Sequence, residues 1–579
     1  MTHHPSLHRK LRPTQRRGIA LFAAMIAVIV VAGLASVMFT TAQSEMTHAQ
    51  VTRSTAELIH LAEAGTVAAE SVVLDRVANS LPVPDGGSVQ VGPQVATYTI
   101  RQFGDQDRET DDVGFQTTHV HYWIQSQAEL GQYRKQINRM IDVGMIPIFQ
   151  FAIFYDKDLE MQPGPSLTLT GRVHSNADVY AGCGGSSTVT ISSKYFRCVG
   201  DMYRRRKESG IATAGIFNVQ KYGLSDYPTM YNRNEMTALG IPSDSGYDSS
   251  FLGYDADQDG YLDGDKDWAD FTVGSLERWG GTLQTGSHGM KRIEPPRIGS
   301  IKRFEEVGDG LGDYTYDPAT GKYSYVGSGG GDFRKSRFYA EAGLSIVDGA
   351  AYDASGKRLL LPPGTITDSS MYDAREKLTV TLTEIDMNKL RTSGYMPANG
   401  LIYASRTESS STQPNGIRLR NGGNLGQPLT VVSENPVYVW GDYNTMLKQP
   451  AAIISDAVNL LSKAWNNSKV RGSLPKATET TYNFAMITGG DETTPGTYNG
   501  GFENLPRFHE DWTKVKCRIA GSFVKIFASD LARAMWRIGG DVYWPPERLW
   551  DYDSQFNDPT KLPPYTPIVA QVKASGWWE

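Results

Sequence analysis

The first long feature of the chain is an uninterrupted apolar run. Residues 19–39, IALFAAMIAVIVVAGLASVMF, carry no charged side chain. At 1.5 Å per residue, a helix over this run spans roughly 30 Å, which is the thickness of the hydrocarbon core of a bilayer. A secretory signal has a shorter apolar region, of about 7–15 residues, before a small-residue cleavage site. The pattern therefore predicts one membrane-spanning helix.

The helical pattern continues beyond the apolar run. One face repeats apolar residues at three- and four-residue steps, namely Leu58, Leu61, Ala68, Val72 and Val73. Residues 19–81 contain no proline, and their only glycines are Gly33 and Gly65. Because Pro82 starts a segment that cannot continue a helix, we predict one near-continuous helix over 19–81, roughly 95 Å long.

The remainder of the chain has the period of β-structure. The segments SLTLTGRVHSNADVY (166–180) and QPLTVVSENPVYVWGDYN (427–444) share one shape, an alternating strand, a corner with asparagine, and a second strand. Such repeats predict a mainly β body, and two architectures stay open, a β-helix or solenoid and a β-sandwich. One exception is residues 126–144, SQAELGQYRKQINRMIDVG, for which we expect an amphipathic helix.

These patterns divide the chain into five segments. We expect a basic leader over 1–18, the long helix over 19–81, a first β-rich region over 82–199, a Gly/Asp-rich insertion over 200–340 and a C-terminal β-rich region over 341–579.

Charge sets the orientation and excludes one class of partner. The 57 basic and 63 acidic residues give a net charge of −6, so we expect no nucleic-acid partner. The leader has five basic residues and no acid: Arg9, Lys10, Arg12, Arg16 and Arg17. By the positive-inside rule the N-terminus stays in the cytoplasm, and the body is periplasmic or extracellular.

Two stretches carry a family resemblance. QRRGIALFAAMIAVIVVAG (15–33) and HLAEAGTVAAES (60–71) resemble the N-terminal region of PilX-type minor pilins, and blocks of the body resemble large exported pilus-associated proteins. The resemblance implies that a prepilin peptidase cuts after Gly18, leaving Ile19 as the mature N-terminus. It also implies other pilin or pseudopilin subunits and an inner-membrane assembly machinery as partners. An anchor that keeps its leader is the alternative.

The resemblance has one departure. The fifth residue after the cut is glutamate in a major pilin, where it neutralises a neighbour's terminal amine, whereas here it is Ala23. An unpaired charge is costly in an apolar core, so this departure favours a minor or tip subunit.

An aspartate-rich loop is the candidate metal site. Asp255, Asp257 and Asp259 alternate before a glycine, and Tyr261 and Asp263 follow at the spacing of a calcium loop. The twelfth position is Lys266, so this is no standard EF-hand, and Asp265 or Asp267 would have to complete the shell. Oxygen ligands at alternating positions favour calcium, and a solvated acidic loop without an ion is the alternative.

The three cysteines allow one bridge. Cys183 and Cys198 flank a segment with the pattern of a hairpin and could form a disulfide in an exported protein, which would leave a buried Cys517.

No motif indicates catalysis. His119 and His121 share a strand face without a third ligand at metal spacing, so we interpret them as exposed strand histidines. His174, Ser175 and Asn176 have the pattern of a polar corner, with the histidine bonded to backbone. The sequence contains no nucleophile elbow or phosphate loop, and we expect no enzyme. The alternative function is a membrane-anchored carbohydrate-active or adhesive β-helix protein.

Overall fold

One unbroken helix, α1 (Arg16–Ala78), forms the N-terminal part of the molecule. The computed structural model describes residues 16–240, 247–252, 269–297, 301–307 and 312–578. The prediction of one near-continuous helix is confirmed, although it ends at Ala78 and not at Leu81. The helix ends in a Schellman motif, in which Ser80 has a φ of 55° and its N–H donates to Val77 O, while Leu81 N donates to Arg76 O over 2.8 Å.

Apart from three long strands within residues 94–147, the other elements are short. The helices after α1 are α2 (Arg233–Leu239), α3 (Ala269–Trp279), α4 (Arg337–Glu341) and α5 (Met387–Thr392). The strands of the first half are β1 (Gly86–Val91), β2 (Gln94–Thr110), β3 (Gln116–Leu130), β4 (Tyr133–Pro147), β5 (Phe151–Tyr155), β6 (Leu159–Met161), β7 (Leu167–Thr170), β8 (Arg172–Ser175), β9 (Val179–Ala181), β10 (Thr188–Ser192), β11 (Phe196–Cys198), β12 (Met202–Tyr203), β13 (Ile216–Val219), β14 (Leu283–Gln284), β15 (Phe304–Glu306), β16 (Tyr314–Asp317), β17 (Lys322–Tyr325) and β18 (Phe333–Lys335).

The strands of the second half are β19 (Leu344–Val347), β20 (Ala350–Asp353), β21 (Arg358–Leu359), β22 (Ile366–Asp373), β23 (Leu378–Asp386), β24 (Leu401–Ser405), β25 (Gly416–Arg420), β26 (Leu429–Ser433), β27 (Val437–Trp440), β28 (Ala451–Ser455), β29 (Val458–Leu461), β30 (Thr480–Asn483), β31 (Ala485–Thr488), β32 (Arg507–Phe508), β33 (Lys516–Gly521), β34 (Phe523–Lys525), β35 (Glu547–Tyr552) and β36 (Ile568–Trp578).

The C-terminal half of α1 packs on an antiparallel sheet, which we call the docking sheet. Its strand order is β1-β2-β3-β4-β36, so the last strand of the chain pairs with the fourth. The predicted helix over 126–144 is wrong, because these residues belong to the β3–β4 hairpin, which turns at Gly131 with a φ of 62°. The four-residue step from Ile137 to Ile141 fits a helix, but it equally fits one face of a strand.

Between β4 and β36 the chain forms a parallel β-solenoid. One long face has the strand order β14-β11-β8-β5-β34-β31-β28-β26-β24-β19-β20-β21, and the strands from β14 to β19 pair in parallel. The other faces are built from shorter parallel sheets, such as β6-β9-β12 and β23-β25-β27-β29-β32. Of the two architectures left open by the sequence, the solenoid is therefore the correct one.

The chain enters this solenoid at its middle. From β5 the coils progress outward through β8 and β11 to β14, and the second arm starts at the far end with β19 and returns to β34. Strand β34 then pairs with β5, which closes a seam between the two arms. Where the solenoid joins the docking sheet, Ile148 N donates to Pro567 O over 2.9 Å. The point where the chain enters the solenoid and the point where it leaves therefore lie side by side.

A single apolar stack runs inside the solenoid and crosses the seam. Its members are paired coil by coil along the long face: Leu344, Ile402, Val431, Ile453, Met486, Phe523, Ile153, Val173, Phe196 and Leu283. The outer side of this face is buried as well, because Phe149, Ile146 and Val569 near the docking sheet pack on it. Both ends are covered, one by α3 with buried Trp279 and the other by the β19–β20–β21 hairpins.

Candidate functional site: the apolar helix and its docking sheet

The N-terminal half of α1 touches no other part of the described chain. Residues 18–50 are all exposed, and Ile19 keeps 74% of its surface accessible. Thirteen large apolar side chains between residues 19 and 39 share this exposure: Ile19, Leu21, Phe22, Met25, Ile26, Val28, Ile29, Val30, Val31, Leu34, Val37, Met38 and Phe39. Among the described helices, this is the one long and apolar enough to cross a membrane. Such a surface is stable only when lipid or protein covers it.

The C-terminal half of α1 is fixed to the docking sheet by close packing. Leu58, Leu61, Ala69 and Val73 are buried against the inner face of the sheet. Gly65 allows this approach, since a Cβ at that position would clash with Ser126 Oγ and lie 3.2 Å from Ala96 Cβ. The small residues of the buried helix face, Gly65 and Ala69, therefore set the distance between helix and sheet.

Ionic contacts fix the helix further. Glu70 pairs with Arg139 of β4 over 2.6 Å, and Asp75 pairs with Arg297 over 2.6 Å. Arg297 N also donates to Asn79 Oδ1 over 2.8 Å. Because Arg297 follows the first solenoid arm, the helix end is tied to the solenoid as well as to the sheet.

The predicted cleavage residues lie at the exposed tip of the helix. Gly18 has nothing within 4 Å of the position of an added Cβ, and Ile19 follows it in the same turn. The departure from the family pattern, Ala23, lies one turn further along and is exposed too. This segment is therefore open to an enzyme or to neighbouring subunits.

The predicted calcium ligands are not part of the described structure. Asp255, Asp257, Asp259, Tyr261, Asp263 and Asp267 all lie outside the described residues. Within the described ranges, no group of three or more His, Cys, Asp or Glu side chains is arranged to hold a metal. Calcium binding stays a prediction.

The predicted disulfide is absent. Cys183 and Cys198 are both free and buried, and Cys517 is buried as expected. The segment between the first two is no hairpin, because β10 pairs with β7 and β13 whereas β11 pairs with β8 and β14. Cys198 ends β11 on the long face, whereas Cys183 follows β9. The two thiols have separate partners, since Cys183 Sγ donates to Ser187 O and Cys198 Sγ donates to Gly200 O.

The histidines have structural partners that the sequence did not reveal. His119 is buried, not exposed, and its Nδ1 lies 2.9 Å from Asp142 Oδ2 on the neighbouring strand, while His121 Nδ1 lies 3.7 Å from Oδ1 of the same aspartate. His174 contacts side chains and not backbone, since its two ring nitrogens lie 3.0 Å from Tyr195 Oη and from Asn176 Oδ1. Burial lowers the pKa of His174 to about 4.

Asn176 has a structural role that the sequence pattern indicates only in part. Its Nδ2 donates to Ile293 O over 2.7 Å, and its Oδ1 accepts from Ile293 N over 3.0 Å. It thereby fixes the segment that leaves the first solenoid arm. The strand–corner–strand repeat indicates that Asn176 lies in a corner. It does not indicate the partner, Ile293, which is 117 residues away in the chain.

A small polar cavity lies on the solenoid beside β6. Its volume is about 30 Å³, which suffices for water but not for a substrate, since ligand pockets measure about 300–1,000 Å³. Glu160 borders it with 6% of its surface exposed, and Glu160 Oε2 has no hydrogen-bond partner in the described structure. Burial raises the pKa of this carboxyl to about 7, against the lowering effects of Thr493 and Lys207.

No family model and no curated protein matches the chain. Among solved structures, a match is found to the competence-associated pilin ComZ from Thermus thermophilus, with a TM-score of 0.22 and 9% sequence identity, covering 90% of this chain and 96% of that chain. The helix and the sheets described above define the class of the molecule, a long N-terminal helix followed by a large β-rich body.

Proposed function

We propose that the protein is a minor-pilin-like structural subunit of a type IV pilus or a related secretion filament. The apolar half of α1 is held in the inner membrane before assembly and is covered by other pilin or pseudopilin helices afterwards. The docking sheet and the solenoid are displayed outside the membrane. Its partners are an inner-membrane assembly machinery, which extracts the helix, and a prepilin peptidase, which prepares it.

The observation that carries this proposal is the division of α1 into two halves. Residues 18–50 are exposed, and the first charged side chain after Arg17 is Glu45, whereas between residues 58 and 77 one face of the helix is buried on the sheet. A simple membrane anchor needs about 20 apolar residues and no rigid continuation. Here the apolar rod extends without a break from a folded sheet, an arrangement suited to packing rods side by side in a filament.

The absence of a carboxylate near the helix tip favours a minor or tip position. After cleavage before Ile19, the new terminal amine of each subunit would need a counter-charge inside an apolar filament. Ala23 provides none. If the subunit is present in few copies or lies at the filament end, few neighbouring terminal amines face Ala23 and lack a counter-charge.

N-terminal sequencing of the mature protein tests the proposal. We expect the chain isolated from cells with a prepilin peptidase to begin at Ile19, and the chain from cells without the peptidase to keep its leader. Gly18→Leu should block the cut, because the bulky side chain occupies the position next to the scissile bond. Gly33→Leu, a matched change in the same helix, should leave it intact. A leader retained in both strains, or a cut after Phe39, would overturn the proposal.

A further inference from the structure

A small antiparallel sheet stands on the solenoid and presents an aromatic face. Its strand order is β15-β18-β16-β17. The register places Tyr314 opposite Tyr325, and Tyr316 opposite Tyr323. Phe333 pairs with Tyr314, and Phe304 pairs with Lys335, two residues along the same strand. Since cross-strand partners and residues two apart share a face, one side of this sheet carries six rings: Phe304, Tyr314, Tyr316, Tyr323, Tyr325 and Phe333.

The rings form one connected surface around Tyr323. Its ring centroid lies 4.2 Å from Phe304 in a stacked arrangement, 4.8 Å from Tyr316 and 5.2 Å from Phe333. Tyr325 is 66% exposed, and Tyr316 is exposed as well. Packing of the rings on one another stabilises this small sheet, and the exposed Tyr316 and Tyr325 leave part of the same face open to a ligand.

Three of these rings form the wall of a groove. Phe304, Tyr323 and Phe333 line a cavity of about 560 Å³, and Arg292 and Glu294 belong to its lining as well. This volume falls within the range of small-ligand sites, about 300–1,000 Å³. The lining of the groove therefore combines aromatic rings with planar hydrogen-bonding groups.

The cations of the groove are already neutralised. Arg292 pairs with Asp156 over 2.7 Å and with Glu294 over 3.2 Å, and Lys302 pairs with Asp530 over 2.8 Å. Arg297 pairs with Asp75, as described above. An anionic ligand would have to break these pairs, which is unfavourable, whereas the hydroxyl groups of a neutral ligand can share them.

We propose that this groove binds a neutral saccharide. A sugar ring lays one flat C–H face on Tyr323, while Phe333, whose ring stands at 78° to that of Tyr323, contacts the edge of the sugar. The hydroxyl groups around the sugar's rim bond to Arg292 and Glu294. The tyrosine hydroxyls of the same sheet face extend the surface for further sugar units. This binding function does not depend on filament assembly, and it gives the displayed body a class of target.

Saturation-transfer difference NMR on the full chain tests this proposal. The chain is held in a detergent without a sugar headgroup and is offered, separately, cellohexaose, maltohexaose, chitohexaose and hexagalacturonate at millimolar concentration. We expect signal transfer to at least one of the three neutral sugars. Tyr323→Ala should weaken that binding by about threefold to tenfold, because one stacking ring is lost, and Tyr323→Phe should preserve it.

Two further variants keep the result interpretable. Tyr395→Ala removes an exposed tyrosine that lies outside the groove and should change nothing. Glu294 lies outside the aromatic sheet, so Glu294→Gln changes the groove without disturbing that sheet. It should weaken sugar binding too, and it therefore tests the groove even if Tyr323→Ala disrupts the sheet. The proposal is overturned by absence of transfer to all three neutral sugars, by binding of hexagalacturonate alone, or by unchanged affinity in both Tyr323→Ala and Glu294→Gln.

Discussion

Glu160 and His174 lie on successive coils of the solenoid, and burial moves their pKa values in opposite directions. The pKa of Glu160 rises to about 7 and that of His174 falls to about 4, because burial disfavours the charged form of each. For Glu160 the folded state binds the proton more tightly than the unfolded state between about pH 4.5 and 7, so stability increases as the pH falls through that window. For His174 the unfolded state binds the proton more tightly below about pH 6.5, so stability decreases as the pH falls toward 4.

Replacing Glu160 with glutamine should stabilise the protein increasingly as the pH rises above about 4.5. The variant never has to hold a buried charge, and its gain in the free energy of unfolding should grow from about zero below pH 4.5 to at most about 3 kcal/mol above pH 7. Urea unfolding at pH 5 and at pH 8 measures this difference.

Glu547→Gln is the matched control for this experiment, because Glu547 is an exposed glutamate on strand β35. Its effect on the free energy of unfolding should be small at both pH values. An equal gain for Glu160→Gln at pH 5 and pH 8 would show that the carboxyl is not ionised at a cost in the folded state.

At the scale of single residues, the sequence predicted positions better than partners. Asn176 was placed correctly in a corner, but nothing local indicates that it binds Ile293. Likewise His119 was assigned to a strand face, whereas its burial depends on Asp142 of the next strand. Partners of this kind are set by register and long-range pairing, which a linear pattern does not contain.

Helix α1 shows at the element scale how far a pattern can be trusted. A single helix over 19–81 is predicted and the helix observed over 16–78 confirms it apart from three residues at each end. The absence of proline, the apolar run of 19–39 and the three- to four-residue period after Leu58 all indicate a helix. The β3–β4 hairpin was mistaken for a helix, because Ile137 and Ile141 satisfy both periods in a segment of only 19 residues, 126–144. Length and agreement between independent signals therefore decide the reliability of an assignment.

The glycine in the buried part of α1 should not tolerate a methyl group. Gly65→Ala improves helix propensity by about 1 kcal/mol but forces the added Cβ against Ser126 Oγ and Ala96 Cβ. Overpacking of this kind costs about 1–3 kcal/mol, so the net result should be a loss of up to about 2 kcal/mol. Amide hydrogen exchange in β3, on the docking sheet, measured at increasing denaturant concentration, reports it.

Gly33→Ala provides the control within the same helix, because an added Cβ at Gly33 meets nothing within 4 Å. It should leave the unfolding of the docking sheet unchanged. Combining Gly65→Ala with Ser126→Gly should restore most of the lost stability, since the double variant removes the opposing side chain. Equal behaviour of Gly65→Ala and Gly33→Ala would mean that the helix is not held at the distance described.

At the scale of the whole molecule, the solenoid is an insertion in a smaller unit. The helix and the docking sheet have their own buried clusters, in which Val73, Ile124 and Val143 pack together, apart from the stack inside the solenoid. The sequence indicated repeated coils but not their order, because the seam joins β34 to β5, strands separated by more than 350 residues. Such a non-local pairing leaves no periodic signal.

The smaller unit should fold without the solenoid. Pro147 and Ile568 are antiparallel partners at the end of the β4–β36 pair, and Ile148 N donates to Pro567 O, so the two ends of the insertion lie a hairpin turn apart. Replacing residues 148–567 with Asn-Gly should therefore convert β4 and β36 into a continuous hairpin with a type I′ turn. The side chains that lose their cover, Phe115, Ile146 and Val569, would be changed to threonine to prevent association through the exposed patch. In detergent this chain should show one cooperative thermal transition and amide protection in β2, β3 and β4, measured by hydrogen exchange.

The same replacement with four glycines and no asparagine is the control for turn chemistry and should melt at a lower temperature. A chain that shows neither cooperative melting nor protection in either form would mean that the docking sheet depends on the solenoid, so that the two parts are one folding unit.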